Sequence, residues 1–208
     1  PSSCLRGALS ICSNRHLEKN SVGLSIDVFR ISLKFSPILG QFSKCESLST
    51  IEIFGCRDLK TCFAALRVGE NDSPIQHVKV DSGRMKDDRP SPLQVGNRLR
   101  GLEANHCDAP VTQCLLEAAV KKPLTTLGIP YCYLDNSCMS LLCDLLCNLH
   151  LQKLSLVTPR QPMNQFLPFL AHLEDLRHLE ISLSKFDEKD KAFFHQVLQK
   201  YILQRLHL

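Results

Sequence analysis

His106 and Cys107 stand side by side, with His172 further along the chain. An imidazole beside a thiol is the pairing that activates a cysteine nucleophile. That chemistry also needs a group to orient the base, and the sequence offers no nucleophile–base–orienter constellation. Cys138, Cys143 and Cys147 crowd a second short stretch. Zinc knuckles bring close-spaced ligand pairs together, whereas these thiols are interleaved with leucines. Cys143 and Cys147 fall on one helical face and read as core thiols. No glycine pattern that cradles a phosphate is present. These residues predict no enzyme, no metal site and no cofactor.

A larger set of residues suits contact better than catalysis. Glu52, His77, Lys79, Arg100, Glu103, Lys153, Ser155, Arg177, His178, Glu180, Arg205 and His207 lie in or beside short aliphatic segments. Their mixed signs favour a protein surface of patterned charge over a uniform phosphate backbone. The formal charge of +4 is modest and does not by itself indicate nucleic acid. Arg177, His178, Arg205 and His207 are expected to converge near one end, where they would meet an acidic peptide or a phosphorylated residue. A charged end facing solvent explains those four equally well.

The elements that position these residues follow from a repeat. Seven segments share an aliphatic residue, two variable residues, a second aliphatic residue, one variable residue and a third aliphatic residue. They are Leu48-Ile51-Ile53, Ile75-Val78-Val80, Leu99-Leu102-Ala104, Leu124-Leu127-Ile129, Leu151-Leu154-Leu156, Leu176-Leu179-Ile181 and Leu203-Leu206-Leu208. Successive segments start 24 to 27 residues apart, a period that signifies stacked, similar units. The alternation at the end of each triplet is that of a short strand with one apolar face. Residues between, such as Gln152, Lys153 and Ser155, point outward or precede the strand. Cys56, Cys107 and Cys132 come three positions after the last apolar residue, where a small side chain meets neighbouring backbone. Gly83, Pro159 and Ser184 hold that place in other units.

The returning half of each unit reads helical. Phe166, Leu167, Leu170 and Leu173 recur at helical spacing, as do Phe194, Val197, Leu198 and Tyr201. Leu141, Leu142, Leu145 and Leu146 continue the pattern, with Asp144 and Asn148 directed to solvent. One parallel strand and one helix per unit predict an α/β solenoid. Helices are wider than strands, so the array should curve with its parallel sheet inside and its helices outside.

Residues 1–47 fit less well, as irregular repeats or a partial cap before a repeat domain over 48–208. Leu9 and Ile11, followed by Asn14, read as one early strand, and Val28-Ile31-Leu33 as another. Gly83 to Pro92 interrupts the repeat as a charged, proline-bearing surface excursion, with Ser91 before Pro92 open to modification. The 208 residues suffice for a core that buries roughly 70% of the extended surface. No run of about 18 apolar residues and no secretion signal are evident, so no membrane segment is expected. Eleven cysteines, an odd number set among aliphatic residues, predict free thiols in the cytosol or nucleus.

The segments LTTLGIPYC (124–132), LQKLSL (151–156), LRHLEI (176–181) and LQRLHL (203–208) resemble the strand signature of the leucine-rich repeat family. CESLSTIEIFGC (45–56) is similar to its cysteine-bearing variant. The lengths resemble the intracellular classes, ribonuclease-inhibitor-like and F-box-type, and more weakly the PRAME-like and MUF1-like receptors. That resemblance implies a curved leucine-rich repeat solenoid that binds a protein on its inner face. It further implies a substrate-recognition subunit of a cullin-RING ubiquitin ligase, whose adaptor would dock through flanking sequence, since no F-box or elongin-binding box is visible. A regulatory or innate-sensor domain and a non-enzymatic scaffold are the alternatives.

Overall fold

The computed structural model describes residues 9–12, 22–27, 48–55, 59–66, 68–82, 93–120, 122–148, 150–157, 164–182, 186–201 and 203–207. Among these, nine strands form one sheet in chain order. They are β1 (Leu9–Cys12), β2 (Val22–Asp27), β3 (Leu48–Phe54), β4 (His77–Asp81), β5 (Gly101–Asn105), β6 (Thr126–Gly128), β7 (Lys153–Leu156), β8 (His178–Ile181) and β9 (Arg205–His207). Five helices intervene: α1 (Leu59–Ala65), α2 (Ala109–Ala119), α3 (Asn136–Asn148), α4 (Leu167–Leu170) and α5 (Glu188–Leu198). The result is an α/β fold. Every neighbouring pair from β2 onward is parallel.

Register follows the aliphatic repeat. Ile51 pairs with Val78, Val78 with Leu102, Leu102 with Leu127, Leu127 with Leu154, Leu154 with Leu179 and Leu179 with Leu206. From Ile51 to Leu179 these side chains are at most 2% exposed, and they share one core with helix residues such as Leu115, Leu142, Leu170 and Val197. Full burial of one such side chain contributes about 1.5–3 kcal/mol. A one-residue slip would turn the whole apolar row to solvent, so burial enforces the register. Leu206, on the edge strand β9, remains 39% exposed. The first aliphatic residue of each triplet is buried just ahead of its strand or, for Leu48, at its start, except Leu203 before the edge strand, which is only partly buried.

Three of the described helices, α2, α3 and α5, begin at aspartates. Asp108 accepts a hydrogen bond from the Val111 amide at 3.1 Å and Asp135 one from the Cys138 amide at 2.8 Å. Asp187 and Asp190 form a reciprocal capping box at the start of α5. Consecutive helices then pack on one another, α2 on α3, α3 on α4 and α4 on α5. No described helix is long and apolar enough to cross a membrane.

Several expectations change in detail. The early strand at Leu9 and Ile11 forms, but β1 runs antiparallel to β2 instead of joining the parallel stack. The strand beside β3 is Val22–Asp27, with Leu24 opposite Ile51 and Ile26 opposite Ile53; the expected strand at Val28, Ile31 and Leu33 lies outside the described residues. Among the described residues, a helix is not found in every return. Between β4 and β5 the described return residues 93–100 hold no helix, and Leu93 and Val95 fill the core from an irregular segment. The remainder of that return, Gly83 to Pro92 with Ser91, lies outside the described residues. Around Phe166 and Leu170 the predicted helix shrinks to a 3₁₀ turn and one α-turn, with Pro168 near its start.

Candidate functional site: the polar face of the sheet

Alternation sends one side chain of each pair into the core and the next to the opposite face. Two rows of polar side chains therefore cross the sheet. One holds Glu52, Lys79, Glu103, Gly128, Ser155, Glu180 and His207, and the other Thr50, His77, Gly101, Thr126, Lys153, His178 and Arg205. Ten of the twelve sequence-predicted residues stand in these rows. Arg100 and Arg177 do not, because each immediately precedes its strand. The Arg100 guanidinium instead donates to the Pro123 carbonyl at 3.2 Å.

Within the rows, opposite charges meet. Lys79 lies 4.0 Å from Glu52, and Lys153 reaches Glu103 at 2.7 Å. The second contact spans an intervening strand, because Gly128 has no side chain between them and the Glu103 stem packs there. Gly101 serves His77 in the same way, since a β-carbon at that position would overlap the His77 ring. Burial lowers the His77 pKa from its ordinary value; the Lys153 charge pushes the same way and Glu103 opposes it. The Ser155 hydroxyl is buried and donates to Glu180 at 2.7 Å, while His207 Nδ1 lies 3.7 Å from the same carboxylate.

Sequence reasoning missed the next residue along each strand. Asp81 and Asn105 pair across β4 and β5, and the Asn105 amide donates to the Asp81 carboxylate at 2.6 Å. The period-two alternation continued one step beyond the last apolar residue would have found them. After β3, β4, β5 and β6 the chain turns through a left-handed residue: Gly55, Ser82, His106 and Tyr131 have φ of 62°, 53°, 50° and 57°. Their amides donate in series to the Asp81, Asn105, Pro130 and Val157 carbonyls. His106 and Tyr131 stack with centroids 4.9 Å apart, both exposed.

The cysteines behave as structural groups at the strand exits. The Cys107 thiol donates to the Val80 carbonyl at 3.6 Å and Cys132 to the Ala104 carbonyl at 3.2 Å, each reaching the preceding strand. Burial raises the Cys114 pKa to about 11 and that of Cys138 to about 12. Contrary to expectation, Cys147 is exposed and Cys143 only partly buried. The core side of α3 is taken by Cys138, Leu142, Leu145 and Leu146, which rotates those two thiols away from it. Among the described residues no three His, Cys, Asp or Glu side chains gather as a metal site.

At the β7–β9 end, Lys153, His178, Glu180, Arg205 and His207 surround an open cavity of about 380 Å³ over Leu154 and Leu179. Three of the four residues expected to converge do so; Arg177 does not line this cavity. The assembled face presents fixed charges and hydrogen-bonding groups on a rigid backbone, an arrangement suited to recognition. Compared with known proteins, the chain matches no protein-family model, and no curated protein is similar to it.

Proposed function

We propose that this chain is a curved leucine-rich repeat solenoid that binds a protein partner across the polar face of its sheet. The observation that carries this reading is the alignment of Glu52, Lys79, Glu103, Ser155, Glu180 and His207 in one row across β3 to β9, interrupted only at Gly128 on β6. Regular strand spacing makes such a row a ruler of chemically distinct contacts, and its mixed signs suit a patterned protein surface better than a polyanion. The finer role, substrate recognition for a cullin-RING ubiquitin ligase, rests on sequence resemblance alone, and its place in the cytoplasm or nucleus on the cysteine content. Its adaptor would engage flanking sequence.

The test is quantitative affinity purification with Glu52, Lys79 and Lys153 reversed in charge, beside a control reversed at the helix residues Lys60 and Lys189. Loss of a specific protein with the first variant and its retention with the second support the reading. Retention with both moves recognition off the sheet. Recovery of a cullin and its adaptor with the same protein supports the ligase role, and a partner set without them removes it.

A further inference from the structure

Charge is not balanced evenly along the polar face. Glu52 meets Lys79, Glu103 meets Lys153, and Glu180 meets both Ser155 and His207. Arg205 and His178 make no side-chain ion pair or hydrogen bond with another described residue, and both line the cavity of about 380 Å³ beside Lys153, Glu180 and His207. That volume lies in the range of small-ligand sites, roughly 300–1,000 Å³, and admits one side chain of a partner. Arg205 is exposed, so its guanidinium can turn toward an incoming group. A planar guanidinium matches a carboxylate through two parallel hydrogen bonds. Glu180, fixed in the same lining by Ser155, repels a dianionic phosphate more strongly than a singly charged carboxylate.

We infer that this cavity receives an aspartate or glutamate side chain of the bound protein, anchored by Arg205 and His178, with Glu180 discriminating against a phosphorylated residue. The inference rests on the reading that the polar face binds a protein and specifies the chemistry of one contact.

The experiment measures fluorescence anisotropy of three labelled glycine-serine peptides with the full chain. They differ only in a central residue pair: glutamate, glutamine or phosphoserine. The glutamate peptide is expected to bind at least about tenfold more tightly than the glutamine peptide and more tightly than the phosphoserine peptide. Arg205→Glu should abolish that preference, whereas Lys60→Glu, with the same change in net charge, should leave it intact. Glu180→Gln should bring the phosphoserine peptide level with the glutamate peptide or above it. Circular dichroism checks that each variant is folded, and Arg205→Gln provides a milder version of the first. Equal affinity for all three peptides, no binding of the glutamate peptide at about millimolar concentration, or equal losses in Arg205→Glu and Lys60→Glu would overturn the inference. Tighter binding of phosphoserine by the unaltered chain would contradict the choice of carboxylate. If these results go against the inference while charge reversal at Glu52, Lys79 and Lys153 still abolishes partner capture, the carboxylate pocket falls and the protein-binding reading stands.

Discussion

The β3–β5 and β7–β9 portions of the polar face share one register and one apolar core, yet differ in how their charges are used. In the first, Glu52 and Lys79 meet each other, Glu103 is taken by Lys153, and His77 settles over Gly101. In the second, Arg205 and His178 stand beside an open cavity without a described partner. The backbone ladder makes the two regions equivalent frames; a few side chains, among them Lys153 reaching from β7 across Gly128 to Glu103, determine which charges find partners. A repeat can thus keep one core pattern while changing the chemistry it displays.

The shared core makes the largest expected effect common to both regions. Leu102→Ala beneath the first and Leu154→Ala beneath the second should each cost about 2–5 kcal/mol in urea denaturation, because both side chains are fully buried. Leu206→Ala at the half-open edge should cost less than either. Equal small losses at all three positions would show that the rows do not share a close-packed interior.

Gly101→Ala separates the regions next. Its new methyl group would collide with the His77 ring, at a cost of about 1–3 kcal/mol. The same change at Gly128 meets the flexible Glu103 stem and should cost less. Removing the ring with His77→Ala should rescue most of the Gly101→Ala loss, as read from denaturation midpoints of the double variant.

Acid should weaken the first region through the same histidine. Because the folded protein holds the His77 pKa below 6.5, an unfolded chain gains a proton there that the fold resists. Nothing is lost above that value. Stability is expected to decline from pH 6.5 downward and level off below the folded pKa, and His77→Asn should flatten that part of the profile. A parent and variant with parallel pH profiles would contradict the placement of this ring.

The smallest effect belongs to the most conspicuous ion pair. Lys153 and Glu103 have side chains 48% and 30% exposed, so Lys153→Met should change stability by less than about 1 kcal/mol despite the 2.7 Å contact. Double-mutant analysis with Glu103→Gln measures the coupling directly.

Much of this architecture was legible because burial writes a period into the sequence. The second aliphatic residue of all seven triplets falls in a strand of one sheet, and the residues on either side of it form the polar rows. Val22–Asp27 escaped notice because Ser21 occupies the position where an aliphatic residue opens the other triplets, although Leu24 and Ile26 keep the later spacing. Asp81 and Asn105 escaped because the triplet ends one residue too early. The Lys153–Glu103 contact was beyond reach for another reason. It joins residues separated by 50 positions, and a missing side chain on the strand between them makes it possible. Periodicity specifies which face a residue occupies; reach and pairing depend on the shapes of its neighbours.

The most direct measurement of the central claim is site-specific photo-crosslinking of the captured partner. A photoreactive side chain would be placed at Lys79 or Lys153 on the polar face, and at Lys60 or Lys189 on the helices. Recognition by the sheet predicts partner adducts from the first two positions and none from the second two. Adducts from the helix positions alone would contradict it.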